Sequence, residues 1–418
     1  MKKYLLCACL VFLAPKVHAG LGNLATEHGL HPESVGSANA ASLFLKGASA
    51  SYYNPAGLTM GQKSSFEPGV VHVAPAFSRK SETYKEDLGT SAGYSVLSFK
   101  LDMAKGFGLS RRVNFGFNLA VADFGRKILS FSDSVAKDGQ NLRYGKKPMF
   151  FNMGLGLAIT ENLSVGVGAL ATVDGEAQTD MHIETDGTTD EESFSISGDT
   201  RIFPLFSVLY MGDSFGVAVS YRSESYYHLS LNANNHLRVL QDGPLPIKVK
   251  TLDTYTPETY ALGLLARFGA FEAYLTLESQ RYSRYGYTAS SLSTIQERAF
   301  VEYKDILVPR LGGRHQLWQD VAIWGGVSFE KSPLEQKTTD SLNYLIHDRW
   351  TYGLGTEYRY HRAGLHPILL GFAIQGQRLS EREIALSYKS LAGENQQEGS
   401  LISEGFATTV SFSLTSLL

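Results

Sequence analysis

The chain runs to 418 residues, with 38 basic and 41 acidic side chains, a formal net charge of −3 and two cysteines. Both cysteines, Cys7 and Cys9, lie near the start, so the rest of the chain can build no disulfide framework, thiolate metal site or thiol nucleophile. The slight acidic excess argues against a nucleic-acid partner, and after the first residues no apolar run is long enough for a membrane-crossing helix.

Residues 1–19 read as a secretory signal. Lys2 and Lys3 give a basic start, Tyr4 to Ala14 is a short apolar stretch, and Val17-His18-Ala19 puts small residues where a signal peptidase reads. Cys7 and Cys9 sit inside the apolar stretch rather than after it, which excludes a lipoprotein. Removing the signal takes away Lys2, Lys3 and Lys16, leaving 35 basic residues against 41 acidic, a balance of −6. Residues 20–62 follow, with small residues clustered at Gly36 to Ala41 and Gly47 to Ala50 and little alternation. Low charge and modest apolar content favour a plug inside a larger body over a disordered tail.

Over residues 63–418, alternation with period two dominates. Val113, Phe115, Phe117, Leu119 and Val121 point one way; Asn114, Gly116, Asn118 and Ala120 point the other. The split recurs at Met153 to Ile159, Leu163 to Ala169, Phe215 to Tyr221, Tyr260 to Leu264 and Tyr352 to Tyr358, and Phe406 to Leu414 forms a final strand. An apolar face opposite a small or polar one suits a membrane barrel, though any half-buried antiparallel sheet shows it. Connection lengths discriminate. Short ones fall at Thr160 to Asn162, Met211 to Ser214, Gly269-Ala270 and His361 to Gly364, slightly longer ones at Ala104 to Arg111 and Arg314 to Gln319. Long polar ones alternate with them: Arg79 to Thr90, Arg126 to Lys147, Glu176 to Asp199, His228 to Thr256, Arg284 to Gln296, Ser332 to His347 and Arg378 to Ser403. Short turns on one side and long loops on the other, joining about fourteen segments, predict an all-β transmembrane antiparallel β-barrel in the cell outer membrane, with lipid as its outer partner.

Several stretches resemble one family. Gly47 to Leu58, containing Asn54-Pro55-Ala56, resembles the N-terminal hatch signature of the FadL-type transporters of long-chain fatty acids and aromatic hydrocarbons. Val219-Ser220-Tyr221-Arg222-Ser223-Glu224, Thr256 to Gly263, Tyr303 to Gly312, Trp324 to Pro333 and Tyr352 to Arg359 are similar to successive family segments in order and spacing. The sequence departs from the usual pattern at Ser416-Leu417-Leu418, where such barrels carry an aromatic residue. The resemblance implies a fourteen-stranded barrel plugged by an N-terminal hatch, and passive uptake with sideways release through a gap beside the third strand.

Asn54, Pro55 and Ala56 are the leading site candidates: proline fixes φ and removes a donor, and asparagine before it starts a turn. They are either an ordinary turn or a hatch element whose shift opens a path. Gly116 and Gly125, on the third strand, are lateral-gate candidates, because a glycine within a strand marks a bulge or leaves room for a plug. A fatty acid would need a lumenal cation for its carboxylate, and Arg222, Arg267 and Arg359 are placed for that. Glu27, His28, His31 and Glu33 have no metal-motif spacing and read as a solvated start, as do His361, Arg362 and His366 at a turn. His228, His236 and His315 are scattered and no serine sits in a nucleophile frame, so no catalytic residue, metal or cofactor is expected. The expected partner is a hydrophobic small molecule, most readily a long-chain fatty acid, and the expected form is a monomer. A general porin and a surface adhesin or structural barrel are the alternatives; a porin would carry rings of charge at its constriction.

Overall fold

The computed structural model describes residues 20–21, 24–61, 64–80, 85–88, 91–122, 149–183, 189–237, 245–285, 303–334, 347–361, 366–389 and 395–418. The segment read as a signal, 1–19, and Gly125 lie outside the described residues.

Fourteen strands make the wall: β1 (Ser65–Lys80), β2 (Ala92–Asp102), β3 (Val113–Ala122), β4 (Met149–Ala158), β5 (Leu163–Ile183), β6 (Thr189–Met211), β7 in two parts (Phe215–Arg222 and Ser225–Leu237), β8 in two parts (Leu245–Thr256 and Glu258–Phe268), β9 (Phe271–Arg281), β10 (Ile306–Trp318), β11 (Val321–Glu330), β12 (Arg349–Tyr360), β13 (Ile368–Lys389) and β14 (Asn395–Leu417). Each pairs antiparallel with the next, and β14 returns to β1 with Val410 opposite His72. Closure is what a bilayer demands, since an open edge would leave backbone groups unpaired in hydrocarbon at several kcal/mol each. A short strand, Lys85–Leu88, extends the β1 hairpin, and Gly20–Leu21 runs parallel to the first part of β8.

The period-two pattern resolves as the alternation predicts. Phe206, Val208, Val219, Leu264, Leu311 and Leu354 are exposed on the outside of the ring, while Asn118, Asn152, Thr276, Gln377 and Thr409 are buried inside it. Three of the expected loops are instead largely strand. β5 and β6 stay paired as far as Ile183 opposite Thr189, β7 continues to Leu237, and β13 and β14 stay paired as far as Lys389 opposite Asn395. Pairing persists in these hairpins although their sequences carry no apolar alternation to mark a strand. Arg314 to Gln319, expected as a connection, belongs mostly to β10, which runs to Trp318. The connection at Ala104 to Arg111 contains a one-turn helix, Met103–Phe107.

Inside the ring lies residue range 24–61, wound into short helices α1 (Leu24–Glu27), α2 (Pro32–Gly36) and α3 (Ala50–Tyr53) and two 3-10 turns, Ser42–Phe44 and Pro55–Thr59. Proline opens both α2 and the second turn, at a position whose N–H has no helical partner in any case. Ala38 and Asn39 both take left-handed φ, 50° and 61°, where the chain reverses after α2. The Asn39 amide holds that reversal by donating to Thr26 O at 3.0 Å. Clustered small residues let this backbone approach the wall closely, which accounts for the absence of alternation there.

Candidate functional site

The interior segment is fastened to the wall all round. On β3 and β4, Ser51 Oγ accepts from the Asn118 amide at 2.7 Å and donates to Asn152 Oδ1 at 2.7 Å. On β6 and β7, Ser207 Oγ accepts from Ala56 N and Ser220 Oγ donates to Tyr53 O. Thr276 of β9 donates to Ala40 O, and Trp324 Nε1 of β11 donates to Pro32 O at 3.0 Å. On β13, Gln375 reaches His28 O and Val35 O, both at 3.1 Å, and Gln377 reaches Glu27 O. These wall residues were missed by sequence reasoning, although their signal was present: amides and hydroxyls at inward positions of strands whose outward positions are apolar.

The triplet Asn54-Pro55-Ala56 is buried in this segment. Asn54 Nδ2 donates to Leu43 O at 2.6 Å, tying two turns together, and Pro55 starts the second 3-10 turn. Its seat is a glycine face on β4 and β5. A Cβ on Gly156 would sit 2.6 Å from Pro55 O, and one on Gly154 3.0 Å from Ser51 Cβ. Gly116 belongs to the same face: a Cβ there would sit 2.5 Å from Leu58 Cδ2. The β3 ladders to β2 and β4 run through Gly116 without a register shift, so Gly116 gives clearance to the plug and marks no bulge.

Glu27, His28 and His31 are buried, which overturns the solvated start: the turn α1 forms is packed against β12–β14 rather than facing water. The Glu27 carboxylate meets the Arg349 guanidinium, which also lies 2.5 Å from Glu330. Burial pushes the Glu27 carboxyl up to about 8 against the pull of Arg349, and pushes Glu33 up to about 7. Burial drives the His28 imidazole down to about 3. His31 Nδ1 lies 3.3 Å from Glu67 and its Nε2 2.7 Å from Ser98 Oγ. Among the described residues no group of three side chains is arranged to hold a metal ion.

The three candidate arginines do not converge. Arg222 is inside, its guanidinium 4.6 Å over the Tyr52 ring, with Nη2 donating to Thr259 Oγ1 at 3.3 Å. Arg267 braces the turns at the short-turn end, 3.2 Å from Glu272 and donating to Gly212 O. Arg359 lines a cavity of about 620 Å³ at that same end, with Glu33, Glu67, Arg314 and Glu357 around it. Deeper in, Arg222, Arg310 and Arg349 face Glu278, Glu330 and Glu27, three guanidiniums against three carboxylates, with Arg310 3.5 Å from Glu278. Beside this network runs an apolar cluster that includes Leu24, Tyr52, Leu170, Phe203 and Leu205, with Tyr226 packed against it.

The sequence profile of the outer membrane protein transport family (OMPP1/FadL/TodX) matches residues 31–408. The chain belongs to that family. It is therefore an outer-membrane protein and a transport channel, not an enzyme, of a family that carries hydrophobic compounds. Alkane uptake protein A of Marinobacter nauticus is 27% identical over 396 residues, covering 90% of this chain and 88% of that protein. The fold matches a Pseudomonas aeruginosa FadL homologue with a TM-score of 0.63 at 12% identity, over 97% of this chain and 100% of that one. It matches the Pseudomonas putida toluene transporter TodX with a TM-score of 0.57 at 12% identity, over 94% of this chain and 99% of that one. The barrel expected from alternation and turn parity is the family's fold, and in bacterial barrels short turns mark the periplasmic end.

Proposed function

We propose that the chain takes up uncharged long-chain hydrocarbons of the alkane class, passively and as a monomer, and releases them sideways into the bilayer. The observation that carries this reading is that the lumenal guanidiniums are already engaged. Arg310 and Arg349 are held by Glu278 and Glu330, and Arg222 by the Tyr52 ring and Thr259, while an apolar cluster of wall and plug residues packs beside them. The name of the Marinobacter relative supports the same class. Residues 20–62 act as the hatch, and a shift around Asn54-Pro55-Ala56 opens the path. Sideways release avoids exposing the ligand to the aqueous periplasm, at about 0.8 kcal/mol per CH₂.

The family resemblance puts the exit beside β3. Between Val113 and Ala122 that strand is paired on both sides, so an exit there falls to residues after Ala122, outside the described residues. A second reading, long-chain fatty acid, is favoured by one atom: Arg222 Nε is buried without a hydrogen-bond partner. Uptake of labelled hexadecane, oleate and sucrose by cells with and without the chain separates the readings. Loss of hexadecane uptake alone on deletion is expected; loss of oleate uptake alone favours the fatty acid, and loss of sucrose uptake favours the porin.

A further inference from the structure

Residues directly opposed across an antiparallel wall face the same side. On the outside of the barrel one such row reads Phe329, Trp350, Arg378, Phe406 and Ala76, each opposite the next from β11 through β14 to β1. Arg378 is its only charged member, and it is exposed. Nearer the short-turn end of β13, the outward residues Phe372 and Ile374 are 47% and 45% exposed, as lipid-facing side chains are. At 3.3 Å per residue and about 40° of tilt, the climb from Ile368 to Arg378 is roughly 25 Å, the height of the apolar band. Arg378 therefore stands at the outer edge of the band, at the end away from the short turns.

Nothing among the described residues neutralises this guanidinium: Arg378 has no ion pair, hydrogen bond or ring contact there. Its aromatic neighbours turn aside. A Cβ on Gly376 would sit 2.9 Å from Phe406 Cζ, so the Phe406 ring lies over that glycine, toward the middle of the band. Trp350 stacks on Tyr352 with ring centres 6.2 Å apart and meets Phe329 at 4.7 Å. Other cations near the outer rim are already held. Lys80 lies 2.8 Å from Glu404, and Arg284 lies 2.9 Å from Glu258, which Arg281 also reaches at 3.6 Å. Glu381, past the register shift between Leu379 and Arg382, is exposed and makes no ion pair with Arg378. A bare guanidinium at the edge of hydrocarbon is costly unless an anion meets it. The bilayer supplies anions at that height, as headgroup phosphates, and the guanidinium fork binds phosphate through paired N–H donors. Lys331, just past the end of β11, is a second exposed cation. It and Arg378 flank the outer end of β12, their Cα atoms roughly 12 Å apart by strand spacing and rise. A sugar headgroup bearing two phosphates spans such a pair; a single phosphodiester does not.

We infer that Arg378, with Lys331 beyond it, forms a binding site on the outer face of β12–β14 for the phosphorylated glycolipid of the outer leaflet. The site lies outside the barrel and is independent of what the lumen carries. The test is titration of the delipidated full chain in detergent with diphosphoryl lipid A, read as bound mass by native mass spectrometry. Heat-modifiable migration on gels reports that each variant is folded. Arg378→Gln should weaken binding at least about tenfold, the worth of a charge-assisted bond to phosphate. Arg378→Lys should recover part of the loss, and Arg284→Gln, whose cation is held by Glu258, should bind as wild type does. Wild-type affinity in Arg378→Gln, an equal loss in Arg284→Gln, or no binding by the wild-type chain would each overturn the site. Displacement of lipid A by phosphatidylglycerol at equal concentration would overturn the assignment to a glycolipid. Hexadecane uptake by Arg378→Gln should match that of the wild type, so a failure of the channel reading leaves this site standing.

Discussion

The substitution Gly156→Ala should unseat the second 3-10 turn of the plug. Its Cβ would sit 2.6 Å from Pro55 O, 3.1 Å from Leu58 Cβ and 3.3 Å from Thr59 Cγ2. The first of these is backbone, so the plug must withdraw by about 0.8 Å to restore an ordinary contact of about 3.4 Å. Two buried bonds are stretched by that movement: Ala56 N to Ser207 Oγ, now 2.9 Å, and Thr59 Oγ1 to Ser164 Oγ, now 2.7 Å. Overpacking costs about 1–3 kcal/mol and each weakened bond up to about 1 kcal/mol more, so local docking should weaken by about 2–4 kcal/mol. That is about 30- to 700-fold in the docking constant. Hydrogen exchange on amides of residues 48–59 in detergent-solubilised protein reads this directly, with faster exchange expected there while the strand amides stay protected. Gly106→Ala is the control, since nothing lies within 4 Å of its would-be Cβ. Wild-type exchange rates in Gly156→Ala would refute the seating of Pro55 on β4.

Three further outcomes follow from the same geometry. Arg349→Met leaves Glu27 and Glu330 buried without their cation, which should destabilise by about 3–5 kcal/mol in urea unfolding; adding Glu27→Gln and Glu330→Gln should recover most of the loss, and no loss in the single variant would dismiss the pair. Burial holds the Glu27 carboxyl at about 8, above its ordinary value of 4.5, so the stability this group contributes is complete below 4.5 and is lost as pH rises through 8. Exchange of α1 and α2 amides should therefore quicken between pH 6 and pH 9 more than base catalysis alone explains, and Glu27→Gln should flatten the difference. Val219→Arg, on the outside of β7 with 51% of its surface exposed, should cost about 2–4 kcal/mol in bilayers and reduce assembled protein on gels; normal assembly would contradict a lipid-facing position.

The wall was legible because one physical rule governs it. Val113 to Val121 alternate since lipid lies on one side and a plug on the other, and closure follows from the cost of an open edge. The outer hairpins were illegible as strands because Glu176 to Asp199 is rich in charged and polar residues without alternation, although β5 and β6 stay paired there as far as Ile183 opposite Thr189. The plug was legible as a body but not in its contacts. Asn118 and Asn152 declare an inward polar position, yet nothing local says that they share Ser51, 67 and 101 residues away along the chain. Arg222, Arg267 and Arg359 looked equivalent in sequence because strand parity alone does not distinguish height in the barrel. One proves to be lumenal and aromatic-capped, and the other two lie at the short-turn end.

On the proposed reading, the channel must hold water out with a plug that a hydrocarbon can displace. A hydrocarbon offers no donor or acceptor, so it cannot replace the bonds that Gln375, Gln377, Trp324 and Arg349 make to α1 and α2. It can replace apolar contacts at little net cost, because the transferred surface stays out of water. The plug's apolar cluster faces β1, β2, β5 and β6, through Val71, Val73, Tyr94, Val96, Leu170 and Phe203. Its ion pairs and amide bonds to β11–β13 are on the other flank, while hydroxyls of Ser98, Ser164 and Ser207 also hold His31, Thr59 and Ala56 on the first. On the proposed reading, an entering hydrocarbon would displace the apolar contacts of the first flank and leave the bonds to β11–β13 in place.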